Sequence, residues 1–265
     1  FLIVVKPFLR FLDLAFAFLD ARARLYEEVY FSAETQIADS FLRKALVQAG
    51  IRDVYQELNF ENTTSTNIVV DGSTLPFWKL NDQLFAFYFG NHPDKKVSSM
   101  IRHLRLVYHK AHHTSIAVLR QRGYEDAERP TETPIYQRLQ MGHIMPNVEG
   151  ISPGRLSGYV KKLSVPETAS ALEEAIAETV GLPFEHIVVS AVPNMKKLGS
   201  EYAPVRKGGV VKSLFVWEPD RQEAFQERAN RMANLRVAFH PQMAPIAYAY
   251  FEDNSFAELV EGVLG

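Results

Sequence analysis

The first 26 residues, FLIVVKPFLRFLDLAFAFLDARARLY, limit the fold more than any other stretch, because so apolar a segment has to be covered by something. A membrane span needs about 20 consecutive apolar residues, and a charge near its centre costs about 2.5–3.5 kcal/mol. Lys6, Arg10 and Asp13 interrupt this run, so integral membrane insertion is not expected. A signal peptide carries its positive charge ahead of the apolar region and a small-residue cleavage site behind it, and neither stands in that order here. From Phe8 onward Phe8, Phe11, Leu12, Ala15, Phe18 and Leu19 recur at helical spacing, while Leu9, Leu14 and Phe16 are apolar as well. A helix apolar on most sides is usually buried. The expectation is a short extended FLIVVK followed by a helix covered by the core or by another subunit. Phe8, Phe11, Leu12, Phe16 and Phe18 are its expected interface residues. Phe1 in place of an initiator Met suggests a processed chain or a fragment.

At 265 residues the chain can form one large domain or two modest ones with proper cores. The net charge of −2 provides no global attraction to nucleic acid or to an anionic membrane, so any such binding must come from local patches. The absence of cysteine excludes disulfides, thiolate metal sites and a Cys nucleophile. It is compatible with an intracellular, cytoplasmic location, with an organelle or a virion left open.

Local signals mark out the elements. Ser32 caps a second helix with Ile37, Phe41, Leu42 and Ala45 on one face, and Gly50 stops it. Asp71-Gly72 between short β-branched runs predicts a hairpin, and LFAFYF (84–89) a buried strand. Val97, Ile101, Leu104, Tyr108, Ala111 and Val118 recur at steps that predict one long helix from Val97 to Gln121. The following stretch is rich in Pro and Gly, and irregular segments of that length tend to be arms or linkers. The chain is therefore expected to divide into a helix-rich α+β N-terminal domain (1–123), an irregular arm (124–165) and an α+β sandwich-like C-terminal domain (166–265). In the last part, helices are expected from Pro166 to a stop at Gly181, from Pro219, and after a cap at Asn254 or Ser255, and strands at HIVVSAV, VVKSLFVW, LRVAFH and IAYAYF. This order suits an antiparallel or mixed sheet with helices on one face, a ferredoxin-like α+β layout, and not a doubly wound parallel sheet.

Three groups of residues could carry chemistry. His109 and His113 stand four apart on the expected helix, the spacing of a metal pair, but a catalytic zinc normally takes three protein ligands. They are weak metal candidates, and no metal and no cofactor is expected. The same helix carries Lys95, Lys96, Arg102, Arg105 and Lys110, with Asp94 as the nearby acid. Such a face could meet a phosphate backbone or an acidic protein, although a charged helix face is most often simply solvated. A second basic group, Lys196, Lys197, Arg206, Lys207 and Lys212, surrounds Gly199 and Gly208-Gly209, where glycines let backbone amides approach an anion. The P-loop spacing is absent, and so is the GxSxG of a serine nucleophile.

The reading that follows is a non-enzymatic structural subunit of a larger, homo- or hetero-oligomeric complex. Its apolar opening helix packs on protein neighbours, and its basic surfaces meet nucleic acid or an acidic partner. The alternatives are an RNA- or DNA-processing enzyme with a dispersed active site and, more weakly, a His-based metal-dependent enzyme.

Overall fold

The computed structural model describes residues 2–50, 67–70, 73–76, 90–108, 113–128, 145–194, 204–207 and 209–265. Helix α1 (Leu2–Leu25) runs through one π turn (Tyr26–Tyr30) into α2 (Ala33–Gln48). Strands β1 (Asn67–Val70) and β2 (Ser73–Pro76) pair as a hairpin in which Val70 faces Ser73. Then come α3 (Lys95–Tyr108), β3 (Thr114–Gln121), a 3-10 turn (Glu125–Glu128), β4 (Asn147–Ile151), α4 (Pro153–Lys162) and α5 (Pro166–Val180). A second 3-10 turn (Phe184–His186) leads into β5 (Ile187–Val192). The chain closes with β6 (Pro204–Lys207), β7 (Val210–Ser213), the short α6 (Leu214–Trp217), α7 (Pro219–Met232), β8 (Asn234–Phe239), α8 (Ala244–Asp253) and α9 (Phe256–Leu264).

The class is α+β. A four-stranded mixed sheet has the order β4-β3-β8-β5, with β3 and β4 parallel and the other pairs antiparallel. On one face Ile116 and Leu119 of β3, Leu235, Val237 and Phe239 of β8, and Ile187 and Val189 of β5 pack against α4, α5, α8 and α9. On the other face Val188 and Ala238 meet Ile37, Phe41 and Ala45 of α2 and Val97, Met100 and Ile101 of α3. A third cluster, away from the sheet, holds Phe16, Leu19 and Ala23 of α1 with Val205, Leu214, Phe215 and Phe225.

Several expected elements hold for the reason given. Ser32 Oγ accepts the Thr35 N–H (3.3 Å) at the start of α2, and Ser255 Oγ accepts the Glu258 N–H (3.2 Å) at the start of α9. Gly181 ends α5 in the left-handed region at φ 72°, which glycine adopts without steric cost. The hairpin signal Asp71-Gly72 itself, and the expected strand 84–89, lie outside the described residues.

Four elements differ from expectation. The helix placed at 97–121 is described over Lys95–Tyr108, and Thr114–Gln121 is instead the central strand β3. Positions 116 to 120 are buried on both faces of the sheet, so the strand shows no alternation, and its apolar residues fall by chance into the preceding helical pattern. IAYAYF belongs to α8, not to a strand: Pro245 sits in the first turn, where its missing N–H costs nothing, and Ala244, Ala247 and Phe251 point inward. VVKSLFVW turns from strand to helix at Leu214, because Leu214 and Phe215 both have to be buried. The stretch 124–165, expected to be irregular, supplies β4 and α4, whose Pro153 follows the capping Ser152. In addition, residues 2–6 (LIVVK) belong to α1 and are helical, not extended.

The β5 edge of the sheet carries a buried ion pair. Lys44 Nζ lies 3.1 Å from Glu173 Oε2, and both side chains are 3% exposed. Lys44 Nζ also donates to the carbonyls of Phe184 (2.6 Å) and Ile187 (2.7 Å), and the Val189 N–H donates to Glu173 Oε1 (2.8 Å). Ile187 C=O and Val189 N–H are two of the groups of β5 that point away from β8. The pair thus satisfies part of an edge that would otherwise present those groups unpaired.

Candidate docking interface

Helix α1 is docked on one side and bare on the other. Phe16, Leu19 and Ala23 face the protein; Phe16 is 1% exposed and its ring lies 6.1 Å from that of Phe215. The Arg221 guanidinium sits over the Phe16 ring at 4.5 Å, and Arg221 pairs with Asp13 (3.7 Å). Further along, Arg228 pairs with Asp20 (3.5 Å) and Glu27 (3.6 Å). The burial of Phe16, Leu19 and Ala23 sets the rotation of α1 about its axis, and that rotation leaves Leu14 71% and Phe18 69% exposed, with Leu25 also exposed. Seven of the eleven large exposed apolar side chains among the described residues belong to α1, its π turn, β7 and α6: Leu14, Phe18, Leu25, Tyr30, Val210, Val211 and Val216. Large contiguous apolar patches tend to be interaction sites, whereas single exposed apolar side chains are ordinary.

Of the five expected interface residues, Phe16 is internal, because it plugs the cluster under α1, and Phe18 is external. Phe8, Phe11 and Leu12 lie on α1, with side chains outside the described part. Leu14 and Leu25 were not singled out in the sequence, although their spacing from Phe18 was the available signal.

The basic residues fall into separate groups. Lys95, Lys96 and Arg102 are exposed on α3, and Arg105 lies on the same helix. Asp94 caps this helix, accepting the Lys96 N–H (2.8 Å), and that backbone bond holds its carboxyl below the usual range. Arg206 and Lys212 are exposed on β6 and β7, and Lys207 faces Val210 across a turn in which Gly209 adopts φ 83°. Lys212 lies over the Trp217 ring at 5.5 Å. Helix α3 packs on α2, whereas the β6–β7 hairpin packs through Val205 on the α1 cluster. Lys110, Lys196 and Lys197 lie outside the described residues.

Arg120, which the expected helix would have exposed, is buried on β3 and donates to the Arg231 carbonyl. It shares a cleft of about 530 Å³ with Arg228, Arg231, Asn234 and Arg236, rimmed by Glu27, Asp126 and Glu227. A second cleft of about 490 Å³ lies between α2, α4 and α5, with Lys44 and Glu173 in its wall. Burial lowers the Lys44 pKa against the pull of Glu173, and burial raises that of Glu173 against the pull of Lys44. A buried lysine in a cleft is often a catalytic base. Here the three donor positions of the ammonium are taken by Glu173, Phe184 and Ile187, so its work is structural.

The proposed histidine pair is not formed on a helix face. His109 lies outside the described residues, and His113 is not helical: it precedes β3 with its ring 4.7 Å from Phe41. His113 instead neighbours His240 (5.9 Å between rings), which neighbours His186 (5.2 Å), at the end of the sheet where β3 and β5 begin and β8 ends. Among the described residues no three His, Asp or Glu are placed to hold a metal ion.

This cluster carries a pH prediction. Burial lowers the pKa of His186, with Glu185 opposing and Lys44 adding to the shift. Burial also lowers that of His240, with His186 adding to it. Below about pH 6.5 the unfolded chain takes up these protons more readily than the folded one. Stability is therefore expected to be full above that pH and to fall as pH drops through the two lowered values. Urea midpoints at pH 7.5 and pH 5.5 check this, and His240→Gln should flatten the difference. An identical slope in that variant would remove the cluster as its source.

No family model, no curated protein and no solved structure matches the chain. Among the described residues no helix is long and apolar enough to cross a membrane.

Proposed function

We propose that the chain is a non-enzymatic assembly subunit that receives a protein partner on the outward face of α1. One observation carries this reading: a helix docked through the buried Phe16, Leu19 and Ala23 turns Leu14, Phe18 and Leu25 into solvent. Burying a Leu or Phe side chain is worth about 1.5–3 kcal/mol. A partner that covers all three gains enough to repay part of the entropy of association. The exposed cations of α3 and of the β6–β7 hairpin are then secondary contacts for acidic groups on the same complex.

The test compares the wild-type chain with Phe18→Ser, whose side chain makes no core contact and whose replacement should leave the circular dichroism spectrum unchanged. Sedimentation velocity over a concentration series measures self-association. Fluorescence anisotropy measures capture of a synthetic helix with a leucine seam and glutamine flanks. Wild type is expected to associate in one of the two assays, and Phe18→Ser to lose about tenfold or more in affinity. A wild-type chain that stays monomeric and captures no such helix would end this reading.

A further inference from the structure

The outward face of α1 also says what kind of partner fits it, on the reading that this face docks protein. Leu14, Phe18, Ala21 and Leu25 follow one another at steps of four, three and four, and all four are exposed. That alternation is the a/d repeat of a coiled-coil seam. At about 100° per residue the four side chains fall within an arc of about 60°. Helices that lie in a membrane surface present a far broader apolar face. The seam is narrow.

Its flanks are charged with one sign. The positions bordering the seam are Ala15 and Arg22 on one side and Ala17 and Arg24 on the other, and both arginines are exposed in the last turn of α1. No acid stands at these positions. The acids of this part of α1, Asp13 and Asp20, lie one step further round and are already paired with Arg221 and Arg228 of the same chain. The bordering positions of a coiled coil set partner choice, because charges there meet charges of the facing helix at the edge of the seam.

We infer that α1 pairs with an amphipathic helix of a different protein, whose leucine-type seam is bordered by Glu or Asp where it meets Arg22 and Arg24. An acidic border neutralises both guanidiniums. A second copy of this chain brings two more arginines and no acid at these positions, so the contact is heteromeric. A phosphate backbone would satisfy the arginines but leave Leu14 and Phe18 in water.

The experiment uses the full chain and three synthetic helices with the same leucine seam, bordered throughout by Glu, by Gln or by Lys. Affinity is read by fluorescence anisotropy at low and at high salt. The Glu-bordered helix is expected to bind about fivefold to tenfold more tightly than the Lys-bordered one at low salt, with the gap narrowing at high salt. In the double variant Arg22→Glu, Arg24→Glu the order should reverse, while the Gln-bordered helix should bind as before. Equal affinity for all three helices would overturn the inference and leave α1 as a docking helix without charge preference. Self-association abolished by Phe18→Ser and competing with every peptide would assign the face to a second copy, and also overturn it. Binding to anionic vesicles in place of all three helices would overturn it in favour of a lipid surface. Failure of even the Gln-bordered helix in a monomeric chain would remove the docking reading itself.

Discussion

Lys44→Ala is expected to destabilise the fold by about 3–5 kcal/mol, the usual cost of removing one partner from a buried ion pair. Folded domains are stable by about 5–15 kcal/mol, so the urea midpoint should fall by about a fifth or more. Three losses coincide. Glu173 is left buried with no ammonium beside it, and the carbonyls of Phe184 and Ile187 lose their donor. Glu173→Gln should cost less, because an amide oxygen can still accept the Val189 N–H and Lys44, whose pKa burial already lowers, can shed its proton. The pH dependence separates this account from a simple packing loss. Without Lys44 the folded-state pKa of Glu173 should rise further above its unfolded value, so the neutral acid is favoured in the fold. The deficit relative to wild type should then be largest near neutral pH and shrink as pH falls toward the range where Glu173 protonates. A deficit independent of pH would show that the ion pair is not its cause.

Phe16→Ala and Phe18→Ala, two positions apart on one helix, should behave in opposite ways. Phe16 is fully enclosed by Phe215, the Arg221 guanidinium and the rest of the cluster under α1. Truncating a buried Phe costs about 3–5 kcal/mol, and some of that loss should appear as local release of α1 before the sheet unfolds. Hydrogen exchange along residues 13–25 would record the release, beside a global urea curve. Phe18 is mostly in solvent and outside the core clusters, so the stability of Phe18→Ala should stay within about 0.5 kcal/mol of wild type. Equal destabilisation by the two variants would mean that α1 is rotated from the orientation that buries Phe16, Leu19 and Ala23.

The sequence alone could not separate these two phenylalanines. Both belong to a run so rich in apolar residues that every face of the helix reads as a candidate interior. The discriminating residues are elsewhere in the chain: Arg221 and Arg228 on α7, which take Asp13 and Asp20, and Val205 and Phe215, which receive Phe16. The seam residues were nevertheless present as a pattern, since Leu14, Phe18, Ala21 and Leu25 keep the three-and-four spacing that Phe16 and Leu19 cross. The arginine-lined cleft had no such signal. Its floor depends on Arg120 and Arg236 sharing a face of β3 and β8, strands more than 100 residues apart in the chain, and Arg120 had been assigned to a helix.

What the amino-acid order determined by itself is punctuation. Ser32 and Ser255 start helices, and Gly181 stops one, because each acts on backbone groups within a few residues of itself. Helices α2, α5, α7 and α9, each with one apolar side, could be read for the same reason. The tertiary structure alone decided the rest. TSIAVLRQ became a central strand and APIAYAYFED a helix, since burial on both faces erases the period of two, and an alternation of Ala and Tyr imitates it. Lys44 and Glu173 became a pair only when α2 and α5 met at the edge of β5. The docked and open sides of α1 were settled the same way, by partners on α6, α7 and β6 whose attraction has no counterpart in the local sequence.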